Sequence, residues 1–456
     1  MFHKAAIWSF LIGVVLLATG GFSCQVSTPA ALQRAQPVAL NYWGVDDASG
    51  AFDKVIANYR LIHPNVSITY RKFRAEEYEQ ALIEAWAGDR GPDIYMIPNT
   101  WMDKYLGKGY LKALPDKTSM PYITAKGGSC QKEDTVIVKD KTSLTLKDLK
   151  NNFVDVVSED AVRSGKIYGL PYSVETLALF YNRDLLNNAN IPTPPADWDE
   201  FKDQVKKLTI QNQDGKLLQS GVAMGTANNI SNAVDILTLL MLQNGAVMSS
   251  GNRVTFTAAS AEDQTYFPGL KALEFYTYFA NPAKEVYTWN AEQGEAMAAF
   301  GAGKVGFYFG YPSDVALLKA QAPKLNFGVA EMPQISAMTR RANYAKYWLN
   351  VVSFKTKYTN EAWDFIQVTT AADNAKEYLT RTGKPTALRS LIAGQLGDLY
   401  QAPFAQQVLA AKSWYTGTNY AAASEALTKS ISDINNGASD FVKVLNNAAN
   451  KINQTY

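Results

Sequence analysis

The chain has 456 residues and nearly balanced charge, with 44 lysines and arginines against 42 aspartates and glutamates, a formal net of +2. So even a balance provides no broad field to gather nucleic acid or an anionic membrane surface, and it favours a neutral or weakly charged ligand. At 47% hydrophobic and 19% charged residues the composition excludes extended disorder, and the length is enough for two lobes with cores of their own.

The first element is an apolar run, Ala5 to Ala18, which follows Lys4 and exits through Gly20-Gly21-Phe22-Ser23-Cys24. This is the layout of an export signal over residues 1–23. A retained membrane helix is the competing reading, but the run is shorter than the roughly 20 residues a spanning helix needs, and glycines interrupt its end. Ser23-Cys24 resembles the lipobox of bacterial lipoproteins, although Gly21 and Phe22 stand where leucine and a small residue are usual. The resemblance implies acylation of Cys24 and anchorage to the outer face of the cell membrane. Residues 24–37, rich in Ser, Thr, Pro, Ala and Gln, read as a flexible tether. Cys130 is then a free thiol, a bridge to Cys24 being the alternative.

From Val38 onward strands alternate with helices, the pattern of an α/β protein with largely parallel sheets. Val38 to Trp43 reads as a buried strand and Gly44 to Gly50 as a loop. A helix carrying Phe52, Val55, Ile56 and Tyr59 stops at His63-Pro64-Asn65. Val66 to Phe73 alternates as a second strand. A helix with Tyr78, Leu82, Ala85 and Trp86 ends at Gly88, and Ile94 to Ile97 is the third strand. Between Pro115 and Arg163 the sequence turns polar and reads as an irregular insertion or surface excursion. Order returns at Lys166 to Tyr172, followed by a strand at Leu177 to Tyr181, a short helix at Asp184 to Asn188, and a helix capped by Asp197.

Five segments in order carry a family resemblance. They are Ala85-Trp86-Ala87-Gly88-Asp89-Arg90-Gly91-Pro92-Asp93; Gly165-Lys166-Ile167-Tyr168-Gly169-Leu170-Pro171-Tyr172 with Phe180-Tyr181-Asn182-Arg183-Asp184 beyond it; Pro194-Pro195-Ala196-Asp197-Trp198-Asp199-Glu200-Phe201; Phe300-Gly301-Ala302-Gly303-Lys304-Val305-Gly306; and Thr382-Gly383-Lys384-Pro385-Thr386. Together they resemble the extracellular solute-binding proteins of ABC importers, in the large family that includes maltodextrin-binding proteins. The resemblance implies a two-lobed, periplasmic-binding-protein-like α/β fold with a ligand cleft between the lobes. It places residues 38–170 and 348–396 in the N-terminal lobe, and residues 171–347 and 397–456 in the C-terminal lobe. It further implies a monomer that captures a sugar or oligosaccharide by hinge closure and delivers it to ABC permease subunits, without catalysis.

Aromatic residues form 12% of the chain, including 9 Trp and 25 Tyr. Sugar C–H faces stack on flat rings while hydroxyls seek paired donors and acceptors, so rings beside carboxylates or amides past the ends of strands are candidate contacts. Trp43, Asp46 and Asp47 follow the first strand, and Asn99 and Trp101 follow the third, the other reading being a buried tryptophan and capping aspartates. Asn228 and Asn229 follow the short strand Gly221 to Met224, in a loop that is either an amide contact or a plain turn. The resemblance puts Tyr172, Ser173 and Glu175 at the first crossing between lobes, where Glu175 either accepts hydroxyls or forms a surface ion pair. It also matches Gly306-Phe307-Tyr308-Phe309-Gly310-Tyr311-Pro312 to the family's ring-stacking Gly-x-Trp segment, which marks Tyr308 and above all Tyr311, loop packing being the alternative. Trp348, ahead of the return strand, and Trp414, in the C-terminal segment, are candidates with core packing as the alternative.

Tools for catalysis are scarce. The histidines are His3, inside the export signal, and His63, at a helix end and expected on the surface, so neither a histidine-based triad nor a transition-metal site is expected. Gly301-Ala302-Gly303-Lys304 lacks the glycine at 298 and the hydroxyl at 305 of a phosphate loop. No cofactor is expected. The alternatives are a binder of another solute, such as a polyol phosphate, peptide or iron chelate, a receptor that only signals, and a secreted carbohydrate-active enzyme working through two of Asp46, Asp47 and Glu175. Scarcity of arginine among the candidates disfavours an anionic ligand.

Overall fold

A computed structural model describes residues 27–45, 47, 50–124, 135–336 and 341–456. The expected export signal, Cys24, Asp46 and Cys130 lie outside the described residues.

The described residues open with a short helix, Pro29–Arg34, whose N-cap Thr28 accepts from the Ala31 amide. The expected tether is therefore helical over part of its length, since a capping threonine, a proline in the first turn and Ala-Ala-Leu-Gln-Arg favour a helix there. There follow β1 (Val38–Val45), α1 (Gly50–Ile62), β2 (Val66–Phe73), α2 (Ala75–Ala87), β3 (Ile94–Pro98) and β4 (Leu111–Lys112). The polar stretch that reads as irregular forms a hairpin, β5 (Lys117–Thr124) with β6 (Thr135–Thr142), then a helix at Leu146–Asn152 and α3 (Asp155–Ala161). Two local signals account for this: β-branched residues at 135–138, and a reciprocal cap between Thr145 and Asp148. Next come β7 (Gly169–Leu170), β8 (Glu175–Thr176), β9 (Ala178–Asn182) and α4 (Trp198–Leu208), the last capped by Asp197 accepting from the Asp199 and Glu200 amides. The chain then forms β10 (Ile210–Gln211), β11 (Leu217–Val222), α5 (Ala233–Gln243), β12 (Val305–Gly310) and β13 (Phe327–Ala330). It returns through β14 (Asn343–Lys346) to β15 (Trp348–Ser353), α6 (Thr359–Thr369) and α7 (Ala372–Thr382), and crosses once more through β16 (Ala411–Lys412) to α8 (Tyr420–Asn435) and α9 (Phe441–Asn453).

These strands make two principal sheets. The first runs β2-β1-β3-β15-β4, with β7 also on β15; β1 is parallel to both β2 and β3, and β15 runs antiparallel to β3. The second runs β10-β11-β12-β9-β13. Each has a hydrophobic core of its own, one containing Tyr42, Phe52, Tyr59, Tyr95, Trp363 and Leu349, the other Phe180, Phe201, Leu237, Trp289, Phe307 and Leu427. The apolar face of α1, at Phe52, Val55 and Tyr59, is completely buried, each side chain contributing roughly 1.5–3 kcal/mol on leaving water.

His63 departs from expectation. It is fully buried, with its Nε2 3.2 Å from the Asp364 carboxylate and its Nδ1 3.2 Å from the Pro121 carbonyl, and its ring packs on Tyr59 and Tyr122. The turn that ends α1 points the imidazole under the β5–β6 hairpin, a neighbour distant in sequence.

Candidate functional site

Between the two sheets lies a third, small one that joins them. Its strands β8, β14 and β16 are three separate crossings of the chain: β8 pairs antiparallel with β14, placing Glu175 opposite Lys346, and β14 runs parallel to β16. Whatever the lobes hold in common is positioned from this waist.

On the side of the first sheet the chain leaves β1 at Val45, and Asp47 is 6% exposed. Helix α7 ends in Gly383, whose φ of +68° is the left-handed cap that glycine adopts without strain, and the next residue is Lys384. Its ammonium lies 3.0 Å from Asp47 Oδ1 and 3.2 Å from Glu175 Oε1. One cation thus ties the end of β1 to the first crossing strand. Tyr378 donates its hydroxyl to Asp47 Oδ2 at 2.5 Å, and the Tyr172 ring packs on Tyr378 while its hydroxyl donates to Thr369. Ser173 is buried and bridges to Thr386. Burial works to lower the Lys384 pKa, but Glu175, Tyr378 and Asp47 outweigh it and hold the ammonium well above the ordinary lysine value.

On the side of the second sheet, Asp235 lies on α5, a helix buried almost all round. Its carboxylate accepts the Tyr311 hydroxyl at 3.0 Å and lies 3.3 Å from Lys346 Nζ. The Lys346 side chain is 58% exposed, its ammonium 5.2 Å from the centre of the Tyr311 ring, and its pKa is raised chiefly by Asp235. Tyr308 donates to Asp314, which also accepts the Tyr311 amide. The Tyr344 and Tyr420 hydroxyls meet at 3.0 Å.

A third cluster lies where α3 meets the last crossing. Asp160 is 7% exposed and accepts from Asn99 Nδ2 at 3.0 Å, from the Tyr347 hydroxyl at 2.7 Å and from the Ser413 hydroxyl. Burial pushes its carboxyl up to about 6 against these hydrogen bonds.

The structure therefore gathers Asp47, Tyr172, Ser173, Glu175 and Tyr311 about the waist. Along the ends of the first sheet's strands, Trp43 packs on Phe73 beneath Arg71, Trp101 stacks on Tyr105 with Lys104 over its ring, and Trp348, half-buried, meets Tyr78 edge-on opposite Pro98. Asn228 is exposed, and Asn229 knits its loop to the Asn290 and Gly294 carbonyls and to the Trp289 ring nitrogen. Tyr308, Tyr311 and Trp414 are buried in the second core, Trp414 against Phe256 and Tyr415, and Trp43 is buried in the first. Sequence reasoning missed Lys384, Tyr378, Lys346 and Asp235. A signal existed for two of them: Lys384 is the variable position of Thr-Gly-x-Pro, and Asp235 is an acid inside an apolar helical run. Among the described residues no group of three or more His, Cys, Asp or Glu is placed to hold a metal ion, and no helix is long and apolar enough to cross a membrane.

Two α/β lobes joined by three crossing strands, with charged groups of both meeting at the junction, are the frame of a two-lobed binding protein. Residues 54–406 match the model of the bacterial extracellular solute-binding proteins, and the chain belongs to that family, one of binding proteins rather than enzymes. It is 22% identical over 287 residues to a maltotriose-binding protein of Pyrococcus abyssi, covering 62% of this chain and 51% of the relative. With a galactooligosaccharide-binding protein of Bacillus subtilis it shares 25% identity over 158 residues, 35% of this chain and 29% of the relative. The chain thus spans about half the length, or less, of these curated relatives. The cyclic α-maltosyl-1,6-maltose binding protein of Arthrobacter globiformis has the same fold, with a TM-score of 0.72 at 18% identity over 92% of this chain and 99% of the other.

Proposed function

We propose that this protein captures a neutral sugar or oligosaccharide in the cleft beside the three-stranded waist and delivers it to the membrane subunits of an ABC importer. The observation that carries this reading is the pairing of both waist lysines: Lys384 is shared by Asp47 and Glu175, and Lys346 is taken by Asp235. Neither of these two lysines is left uncompensated for an anionic ligand, while the carboxylates remain acceptors for hydroxyl groups. The names of the relatives, binders of maltotriose and galactooligosaccharides, agree with it.

In this reading residues 38–170 with 348–396 form one lobe and residues 171–347 with 397–456 the other. Trp101 and Trp348, both half-buried, supply rings, with Tyr311 and Trp43 packed behind them, and Asp47, Glu175 and Asn228 supply polar contacts. The protein acts as a monomer on the outer face of the cell membrane, held by a lipid on Cys24, and leaves its ligand chemically unchanged. Calorimetric titration with a panel of neutral and acidic oligosaccharides, followed by product analysis, tests this. Saturable binding of a neutral sugar recovered intact is the expected result; hydrolysis of the sugar, or preference for an acidic one, overturns it. Acyl mass on the N-terminal peptide of the membrane-fraction protein tests the anchor separately.

A further inference from the structure

Lys384 does not behave as a surface lysine. Its side chain is 16% exposed, against 4% for Asp47 and 14% for Glu175, and it lies within 3.2 Å of both. The two carboxylates come from segments that nothing else in the primary structure relates, one following the first strand of the first sheet and the other in the first crossing strand. Two near-buried carboxylates sharing one site repel each other unless a cation lies between them.

We infer that Lys384 is a positioning residue: it screens Asp47 from Glu175 and holds the two aimed as one hydroxyl-accepting pair, so that ligand affinity depends on it without its having to touch ligand. The inference rests on the proposed sugar-binding function and deepens it.

The surroundings leave Lys384 this task. Tyr378 of α7 already donates to Asp47, and Tyr70 of β2 donates to the Asp47 carbonyl. Tyr172 and Tyr42 lie within electrostatic reach of Asp47, but they are neutral and buried. Lys346 of β14 is within reach of Glu175, yet its contact is with Asp235. Arg381, one turn back on α7, lies toward Gly50 at the start of α1. Among the described residues, Lys384 is the cation that contacts both carboxylates.

The test is Lys384→Met, with Lys384→Arg as the conservative variant. Calorimetric titration with maltotriose is the first measurement: affinity falls about tenfold in Lys384→Met, because the two carboxylates repel and turn apart, and Lys384→Arg restores it. The same titration in a Glu175→Gln background is the second: with one charge of the pair already removed, Lys384→Met costs less than it does in the unmodified protein. Unchanged affinity in Lys384→Met, a loss of the same size in the Glu175→Gln background, or a loss that Lys384→Arg does not restore overturns the inference. If the unmodified protein binds neither maltotriose nor any sugar of the panel, the proposed function fails instead, and thermal melting of the ligand-free variants decides the role of Lys384 by the same two comparisons. If Lys384→Met does not fold, Lys384→Gln is read in the same two measurements.

Discussion

The two sides of the waist use the same chemistry at different depths. On the first-lobe side a single lysine, mostly enclosed, satisfies two carboxylates that are themselves nearly buried. On the second-lobe side the carboxylate is buried, but its lysine reaches it from water, with a side chain 58% exposed. An ion pair removed from solvent is costly to break, because the remaining partner is stranded; one whose lysine is hydrated is weak, because water replaces the lost partner. The first lobe is thereby braced at the waist, whereas the second meets it through a contact that water can replace.

The strongest way to break this contrast is Asp47→Ala, which leaves Lys384 with Glu175 alone and removes the acceptor of the Tyr378 hydroxyl. A loss of about 3–5 kcal/mol is expected in denaturant unfolding. A loss below about 1 kcal/mol would mean that the first-lobe pair is as hydrated as the second.

A carboxylate without a bonded lysine sharpens the comparison through pH. The Asp160 carboxyl is raised from 3.8 to about 6 by burial, so the folded state holds a proton that the unfolded chain releases earlier. The sign follows: stability from this group is fully present below about pH 4 and is lost as the pH rises through about 6, on the order of 3 kcal/mol in all. The measurement is unfolding free energy against pH, in which Asp160→Asn flattens that window.

Tyr311→Phe tests one hydrogen bond to Asp235 beneath its exposed lysine, Tyr420 being another donor to the same carboxylate. A cost of about 1–3 kcal/mol is expected, since a buried acceptor loses a donor. Lys346→Ala is expected to cost least, under about 1 kcal/mol of stability by the same unfolding assay. If it matched Asp47→Ala, exposure would not be what separates the two sides.

Much of the fold was legible before any coordinates. The first three strands and the helices between them followed from periodicity, and Asp197 was recognisable as a cap because its partners, the Asp199 and Glu200 amides, lie within three residues. The hairpin at 117–142 was obscured by its lysines, which belong to an exposed strand as readily as to a loop. For the site, Asp47 was legible as a carboxylate past the first strand and Glu175 through the family resemblance, but their shared partner was not. Position 384 is marked by its motif only as a variable residue.

What the amino-acid order determined by itself is local: the alternation of strand and helix, the caps, the left-handed turn at Gly383 and the succession of motifs that identifies the family. Each depends on contacts within a few residues. Tertiary structure alone decided that Lys384 would meet Asp47 and Glu175, that Lys346 would stand across from Glu175 yet pair with Asp235, and that His63 would be buried against Asp364 rather than exposed. Charge pairing and burial depend on which distant segments share a small volume, and here that is set by three crossings of the chain, which no local pattern encodes.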